Sequence, residues 1–153
     1  MKLFLDADVL FSASLSAAGT AQALLVAARA AGARCVCSER AFAEAQRNLA
    51  AKAASALANL ELIGALVQRV PEPSAAQIQS ARDAGVVEKD APVLAAALAC
   101  AADVFVTGDV RHFGHLFGQR IDGVRVLSLR SAVDALAVKP PAPELRGPRG
   151  RSR

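Results

Sequence analysis

The stretch KDAPVLAAALACAADVFVTGD, residues 89–109, holds the pattern that decides the fold. Asp90 precedes a run of small and apolar residues that predicts a helix over residues 91–102. Residues 103–107 (DVFVT) then predict a short buried strand, and Asp109 follows directly after it. A helix that leads into an apolar strand ending at an acid is a typical unit of a parallel α/β sheet.

The alternation of strands and helices continues on both sides of this stretch. The other predicted elements are a strand at 2–5, a helix at 20–31, a strand at 34–37, a helix from Ser38 to about Leu49, more helix to about Val67, a helix capped by Ser74 and stopped near Gly85, a strand at 124–127 and a helix at 131–138. This order predicts a three-layer α/β/α sandwich with a central parallel sheet. Ligands of such sheets bind beyond the carboxyl ends of the strands.

The basic residues are concentrated at the C-terminal end of the chain. There are 18 Lys and Arg against 14 Asp and Glu, a formal charge of +4. Residues 139–153 (KPPAPELRGPRGRSR) hold five of the basic residues and one acid, so residues 1–138 have no net charge. We predict one folded domain over 1–138 and a disordered, basic, Pro- and Arg-rich tail over 139–153. A neutral body without Trp or Tyr disfavours RNA binding by bulk charge or base stacking alone.

The cysteines and the apolar segments predict a cytoplasmic protein without a membrane span. Three cysteines suit a reducing compartment, and Cys35 and Cys37 form a C-x-C with no second pair for a zinc site. We interpret both as small core residues on one face of a strand. The N-terminal apolar run is interrupted by Asp6 and Asp8, which argues against a signal peptide.

Four acids from separate segments are expected at the carboxyl edge of the sheet. Asp6 and Asp109 follow strands, Asp90 starts a helix, and Glu44 lies in the helix after the second strand. Clustered carboxylates raise one another's pKa unless a cation compensates them. Mg²⁺ and Mn²⁺ prefer oxygen ligands, and either ion can activate water for phosphodiester cleavage. By spacing alone, any one of these acids is explained as well by a helix cap or a surface position as by a role as a metal ligand.

Four blocks of the sequence resemble, in order, the motifs of the PIN-domain family. They are LFLDADVLFSA, SERAFAEAQRNL, KDAPVLAAALACAADVFVTGD and the following RHF, and they span residues 3–113. The resemblance is closest to VapC-like toxin components of toxin–antitoxin pairs. It implies a PIN-like α/β/α fold, a Mg²⁺- or Mn²⁺-dependent endoribonuclease acting on RNA, a cognate antitoxin protein and a homodimer. The family's four acids fall on Asp6, Glu44, Asp90 and Asp109, and its positioning hydroxyl falls on Thr107.

The chain departs from the family pattern at two places. Asp8 stands where many members have Asn. No further acid closely follows Asp109, so the sequence does not decide whether a second metal ion binds. Asp8 is explained equally well as a ligand and as a surface residue. We interpret Arg111 and His112 as ordinary solvated residues rather than phosphate contacts, and His115 as structural.

Two other functions compete with the nuclease. Asp6-Ala7-Asp8 after an apolar strand looks like the opening motif of haloacid-dehalogenase-like phosphatases, in which the first Asp is a nucleophile. Leu10 stands where that family has Thr or Val, Phe113 replaces its last aspartate, and the family gives Glu44 no role. The other alternative is a catalytically inactive PIN-like binding module, against which the intact set of acids weighs.

Overall fold

The structure, a computed structural model, describes residues 1–137, so the predicted tail lies outside the described residues. Its strands are β1 (Lys2–Leu5), β2 (Arg34–Ser38), β3 (Gln68–Val70), β4 (Val104–Val106), β5 (Arg120–Ile121) and β6 (Val124–Leu127). Its helices are α1 (Ala7–Leu15), α2 (Thr20–Ala30), α3 (Glu39–Lys52), α4 (Leu57–Gly64), α5 (Ala75–Asp83), α6 (Ala91–Ala99), α7 (Val110–Phe113) and α8 (Leu129–Ala137).

The six strands form one sheet in the order β3-β2-β1-β4-β6-β5. Every neighbouring pair is parallel except β5 and β6, which form an antiparallel hairpin at the edge. The turn Asp122-Gly123 joins them, and both residues have positive φ, as a two-residue hairpin with a type I′ turn requires. The α/β sandwich is therefore confirmed, with an antiparallel edge strand added to the predicted parallel sheet.

Two apolar layers cover the sheet, because successive strand residues point to opposite faces. Leu3 and Leu5 of β1 lie in the layer that contains α1, α2, α3, α4 and α8. Cys37 and the partly buried Cys35 of β2 face the same layer. Phe4 points the other way, toward the layer that contains α5, α6 and α7. Its ring centroid lies 5.7 Å from that of Phe105, which lies 5.1 Å from that of Phe113. The prediction that both cysteines of the C-x-C lie on one face is confirmed, with Cys37 in the core and Cys35 partly buried beside it.

The helices predicted from the sequence are present, but several begin or end at other residues than predicted. Ser38 accepts a hydrogen bond from Ala41 N, and Ser74 forms the predicted capping box. The helix predicted over 91–102 ends at Ala99, because the chain turns through Ala101 at φ 53° before β4. The helix predicted to about Val67 is interrupted by a 3₁₀ turn at Ala54–Ala56, and β3 follows it.

Helix α1 was not predicted from the sequence. It begins directly after β1, because the Asp6 side chain caps it by accepting a hydrogen bond from Ala7 N. Inside this helix, the Ser14 hydroxyl donates a hydrogen bond to Leu10 O at 2.8 Å. The strand-to-helix turn therefore places Asp6 and Asp8 at the carboxyl edge of the sheet.

No single helix within the described residues is long and apolar enough to cross a membrane. Helices α1 and α2 taken together have the length and apolar composition of a membrane span, but the chain bends by 102° between them.

Candidate active site

Strands β1 and β4 bring Asp6 and Thr107 to the same edge of the sheet. Their register pairs Leu5 with Val106, and Asp6 N continues the ladder by donating to Val106 O at 3.0 Å. Asp109, two residues after Thr107, begins α7 and accepts a hydrogen bond from His112 N. Two of the predicted acids thus stand at helix starts beyond adjacent strands.

The Thr107 hydroxyl links these two acids. It is fully buried, donates to Asp6 Oδ2 at 2.8 Å and accepts from Asp109 N at 3.1 Å. Asp6 Oδ1 accepts from Ala7 N at 2.7 Å. Because a carboxylate has about four acceptor positions, both Asp6 oxygens keep one free. Burial and the nearby charge of Asp8 raise the pKa of Asp6 to about 8, against the opposing effect of these hydrogen bonds.

Asp8 lies among the predicted acids. Burial, with the charges of Asp109 and Glu44, raises the pKa of Asp8 to about 6, while a hydrogen bond from the Gly108 backbone opposes this rise. A Cβ at position 108 would lie 2.7 Å from Asp8 Oδ2, so the glycine makes room for this carboxylate. Asp8 Oδ1 is buried without a hydrogen-bond partner. Asp8 is therefore not a surface residue.

Glu44 on α3 faces Asp6 and Asp8. It is half-buried, and its charge contributes to the raised pKa of both aspartates. Within residues 1–137 no salt bridge joins it to Arg47, the nearest basic residue on its helix in sequence. Glu44 therefore lies close enough to both aspartates to affect their ionisation and forms no ion pair on the surface of its helix within these residues.

Asp90 and Asp109 meet at His112. The His112 Nδ1 atom lies 2.9 Å from Asp90 Oδ2 and 2.8 Å from Asp109 Oδ2. Asp90 precedes α6, but its side chain makes no capping hydrogen bond there. Burial raises the pKa of Asp90, and His112 and Lys89 oppose that rise. The interpretation of His112 as an ordinary solvated residue is wrong, because its side chain is only 22% exposed and lies between two acids.

The cluster has the ligand chemistry of a divalent-cation site. Five carboxylates are linked through the charges that raise the pKa values of Asp6, Asp8 and Asp90, and no Lys or Arg within residues 1–137 forms a salt bridge with any of them. Asp90, Asp109 and His112 each offer an atom, and these atoms lie within 4.8 Å of one another. Buried acids without a basic partner resist ionisation unless a cation is bound. The residues present therefore fit a bound Mg²⁺ or Mn²⁺ ion.

Sequence comparison assigns the domain that carries this cluster. The family model of the PIN domain matches residues 2–111, nearly three quarters of the chain. The chain belongs to the PIN-domain family. PIN domains are typically metal-dependent nucleases, so this PIN domain is of the type that hydrolyses phosphodiester bonds. The match includes the five acids and Thr107 and ends one residue before His112.

No curated protein and no solved structure matches the chain at a significant level. The phosphatase alternative has little support in the site itself. Phe113, which stands where that family has its last aspartate, is buried and packs against Phe105.

Proposed function

We propose that this PIN domain is an endoribonuclease that cleaves RNA with the help of Mg²⁺ or Mn²⁺. The observation that carries the proposal is a cluster of five neighbouring carboxylates without a Lys or Arg salt-bridge partner within residues 1–137, in which Asp90 and Asp109, with His112, offer ligand atoms within 4.8 Å of one another. The proposed metal-holding residues are Asp6, Asp90, Asp109 and Glu44, and Asp8 joins them because of its position. A divalent cation bound there would supply positive charge to the reacting phosphate.

The protein's own groups orient this machinery. Thr107 fixes the Asp6 carboxylate and the backbone of Asp109 through two hydrogen bonds. Gly108 allows Asp8 to lie close to the backbone of the loop after β4. Glu44, half-buried beside Asp6 and Asp8, is assigned the role of orienting the attacking water.

A cleft beside the acids suits an RNA backbone. It has a volume of about 550 Å³, and Arg40 and Arg47 of α3 line it together with two acids, Glu39 and Glu72, and with Pro73 and Pro92. Both arginines are exposed. Glu44 lies between them on the same helix, so phosphates bound along the cleft would pass the acidic cluster.

The test is cleavage of defined RNAs with Mn²⁺, with Mg²⁺ or with EDTA. A circular RNA separates endonuclease from exonuclease activity, and a DNA strand of the same sequence tests the substrate class. We expect cleavage with either ion, none with EDTA, and at least a hundredfold loss, as an order of magnitude, in Asp6→Asn and Asp109→Asn. The control is Asp134→Asn, whose carboxylate is exposed on α8. Full, EDTA-sensitive activity in both site variants would refute the proposal.

We also propose that the protein is a VapC-like toxin that works in the cytoplasm as a homodimer and is held inactive by an antitoxin. The motif resemblance supports this role, and an exposed apolar face supports the protein partners. Val26, Leu62 and Leu66 are each more than 60% exposed on or next to α2 and α4. Expression in bacteria should stop growth, and Asp6→Asn should not. Light scattering of the purified chain tests the dimer.

A further inference from the structure

His112 is a nitrogen donor inside a cluster that otherwise offers oxygen. Its Nδ1 atom lies 2.8–2.9 Å from one oxygen of Asp109 and one of Asp90. Adjacent ligand atoms around an octahedral ion with bonds of 2.0–2.1 Å are about 2.9 Å apart. The spacing of the three atoms therefore suits ligands that share one ion.

A simple ion pair explains this geometry less well. Nδ1 of His112 and Oδ2 of Asp90 are both shielded from solvent, yet neither has a hydrogen-bond partner. A histidinium that only neutralised the two acids would point its N–H along a hydrogen bond to one of them. The atoms are close without being aligned as donor and acceptor, as expected of groups that surround a third partner.

We propose that His112 is a metal ligand and that Asp90, Asp109 and His112 form a cation position that prefers first-row transition ions to Mg²⁺. Imidazole is a ligand of transition ions, whereas Mg²⁺ takes carboxylate, carbonyl and water oxygens. Asp6, Asp8 and Glu44 offer oxygen only. This inference rests on the proposed metal-dependent nuclease and adds the class of metal that the site selects.

The chain offers a matched control, because it contains only two histidines. His115 is exposed and lies outside the cluster. Pulsed electron paramagnetic resonance of Mn²⁺ on untagged protein detects the nitrogen of a directly bound imidazole. We expect this nitrogen signal in the wild type and in His115→Asn, and its loss in His112→Asn. The wild-type spectrum alone tests ligation, even if a variant folds poorly.

Affinity measurements test the selectivity. In titrations of the same proteins, His112→Asn should weaken Mn²⁺ binding about tenfold or more and change Mg²⁺ binding by less than about threefold. Mn²⁺ bound without a nitrogen signal in the wild type, or an unchanged Mn²⁺ preference in His112→Asn, would overturn the inference and leave the nuclease proposal intact. If neither ion binds, or if both bind Asp6→Asn and Asp109→Asn as tightly as wild type, the two proposals fail together.

Discussion

Thr107 is the single residue on which the geometry of two acids depends. Its buried hydroxyl donates to Asp6 and accepts from the backbone of Asp109. The variant Thr107→Val keeps the shape of the side chain but leaves two buried polar groups without this partner. We expect it to lower the free energy of unfolding by about 1–3 kcal/mol, measured by urea denaturation in EDTA. Cation affinity at neutral pH should also fall, because the lost hydrogen bond favours the ionised form of Asp6.

The control for this prediction is Thr107→Ser, which keeps the hydroxyl and loses one buried methyl group. That loss costs about 0.8 kcal/mol, and cation affinity, measured by calorimetric titration, should stay near the wild-type value. Wild-type affinity in Thr107→Val would show that the hydroxyl does not organise the site.

At the scale of elements, α1 explains why the role of Asp8 stayed open in the sequence. The Asp6 side chain caps this helix, and the Ser14 hydroxyl forms a hydrogen bond to Leu10 O inside it. In the first turn of that helix, Asp8 approaches Gly108 in the loop that follows β4. That approach depends on the register of two strands about a hundred residues apart, which local sequence patterns do not contain.

The remaining differences between prediction and structure are also tertiary. The strands β3 and β5 are two or three residues long at the edges of the sheet, too short for a periodic signal. The acids Asp6, Glu44, Asp90 and Asp109 stood out because each follows a strand or occupies a helix near the carboxyl edge. His112 did not, because its role depends on Asp90, a residue that is distant in sequence.

The cleft along α3 leads to a prediction about RNA affinity. Replacing Arg40 or Arg47 with Ala should weaken RNA binding for all sequences. The slope of the logarithm of the binding constant against the logarithm of the salt concentration should become smaller by about one for each arginine. Cleavage at saturating RNA should persist, because neither residue belongs to the acidic cluster. Arg34→Ala is the control, since Arg34 is the first residue of β2 and lies at the amino-terminal end of the strands, opposite the acids. Equal effects of all three substitutions, measured by fluorescence anisotropy at several salt concentrations, would show that the cleft is not the RNA path.

On the scale of the whole molecule, the net charge is carried by residues 139–153. If this basic segment adds affinity without sequence preference, its deletion should weaken RNA binding and lower the salt dependence. The cleavage rate at saturating RNA should stay the same, because all five acids lie within residues 1–137. Gel-shift and single-turnover assays on the truncated chain test both parts. A truncated chain that cannot cleave saturating RNA would contradict this division of roles.

The acidic cluster should also determine how the stability of the whole protein depends on pH. Burial raises the pKa of Asp6 to about 8 and of Asp8 to about 6, and it raises the pKa of Asp90 as well. An unfolded aspartate titrates near 3.9. The folded protein therefore holds more protons than the unfolded chain between about pH 4 and pH 8. Without a divalent cation, the free energy of unfolding should fall as pH rises through this window, by on the order of a few kcal/mol.

Urea denaturation in EDTA across this pH range measures the predicted fall. Saturating Mg²⁺ or Mn²⁺ should reduce it, because a cation bound to the folded state stabilises the ionised carboxylates. Asp8→Asn removes one charge from the cluster, so this variant should be more stable than wild type near pH 8 in EDTA, and Asp134→Asn should not differ. A wild-type stability that rises with pH in EDTA would contradict the raised pKa values. The predicted gain in Asp8→Asn follows from the same repulsion that would make the cluster bind a cation. Repulsion between these carboxylates lowers the stability of the folded chain, and a bound cation would remove that repulsion.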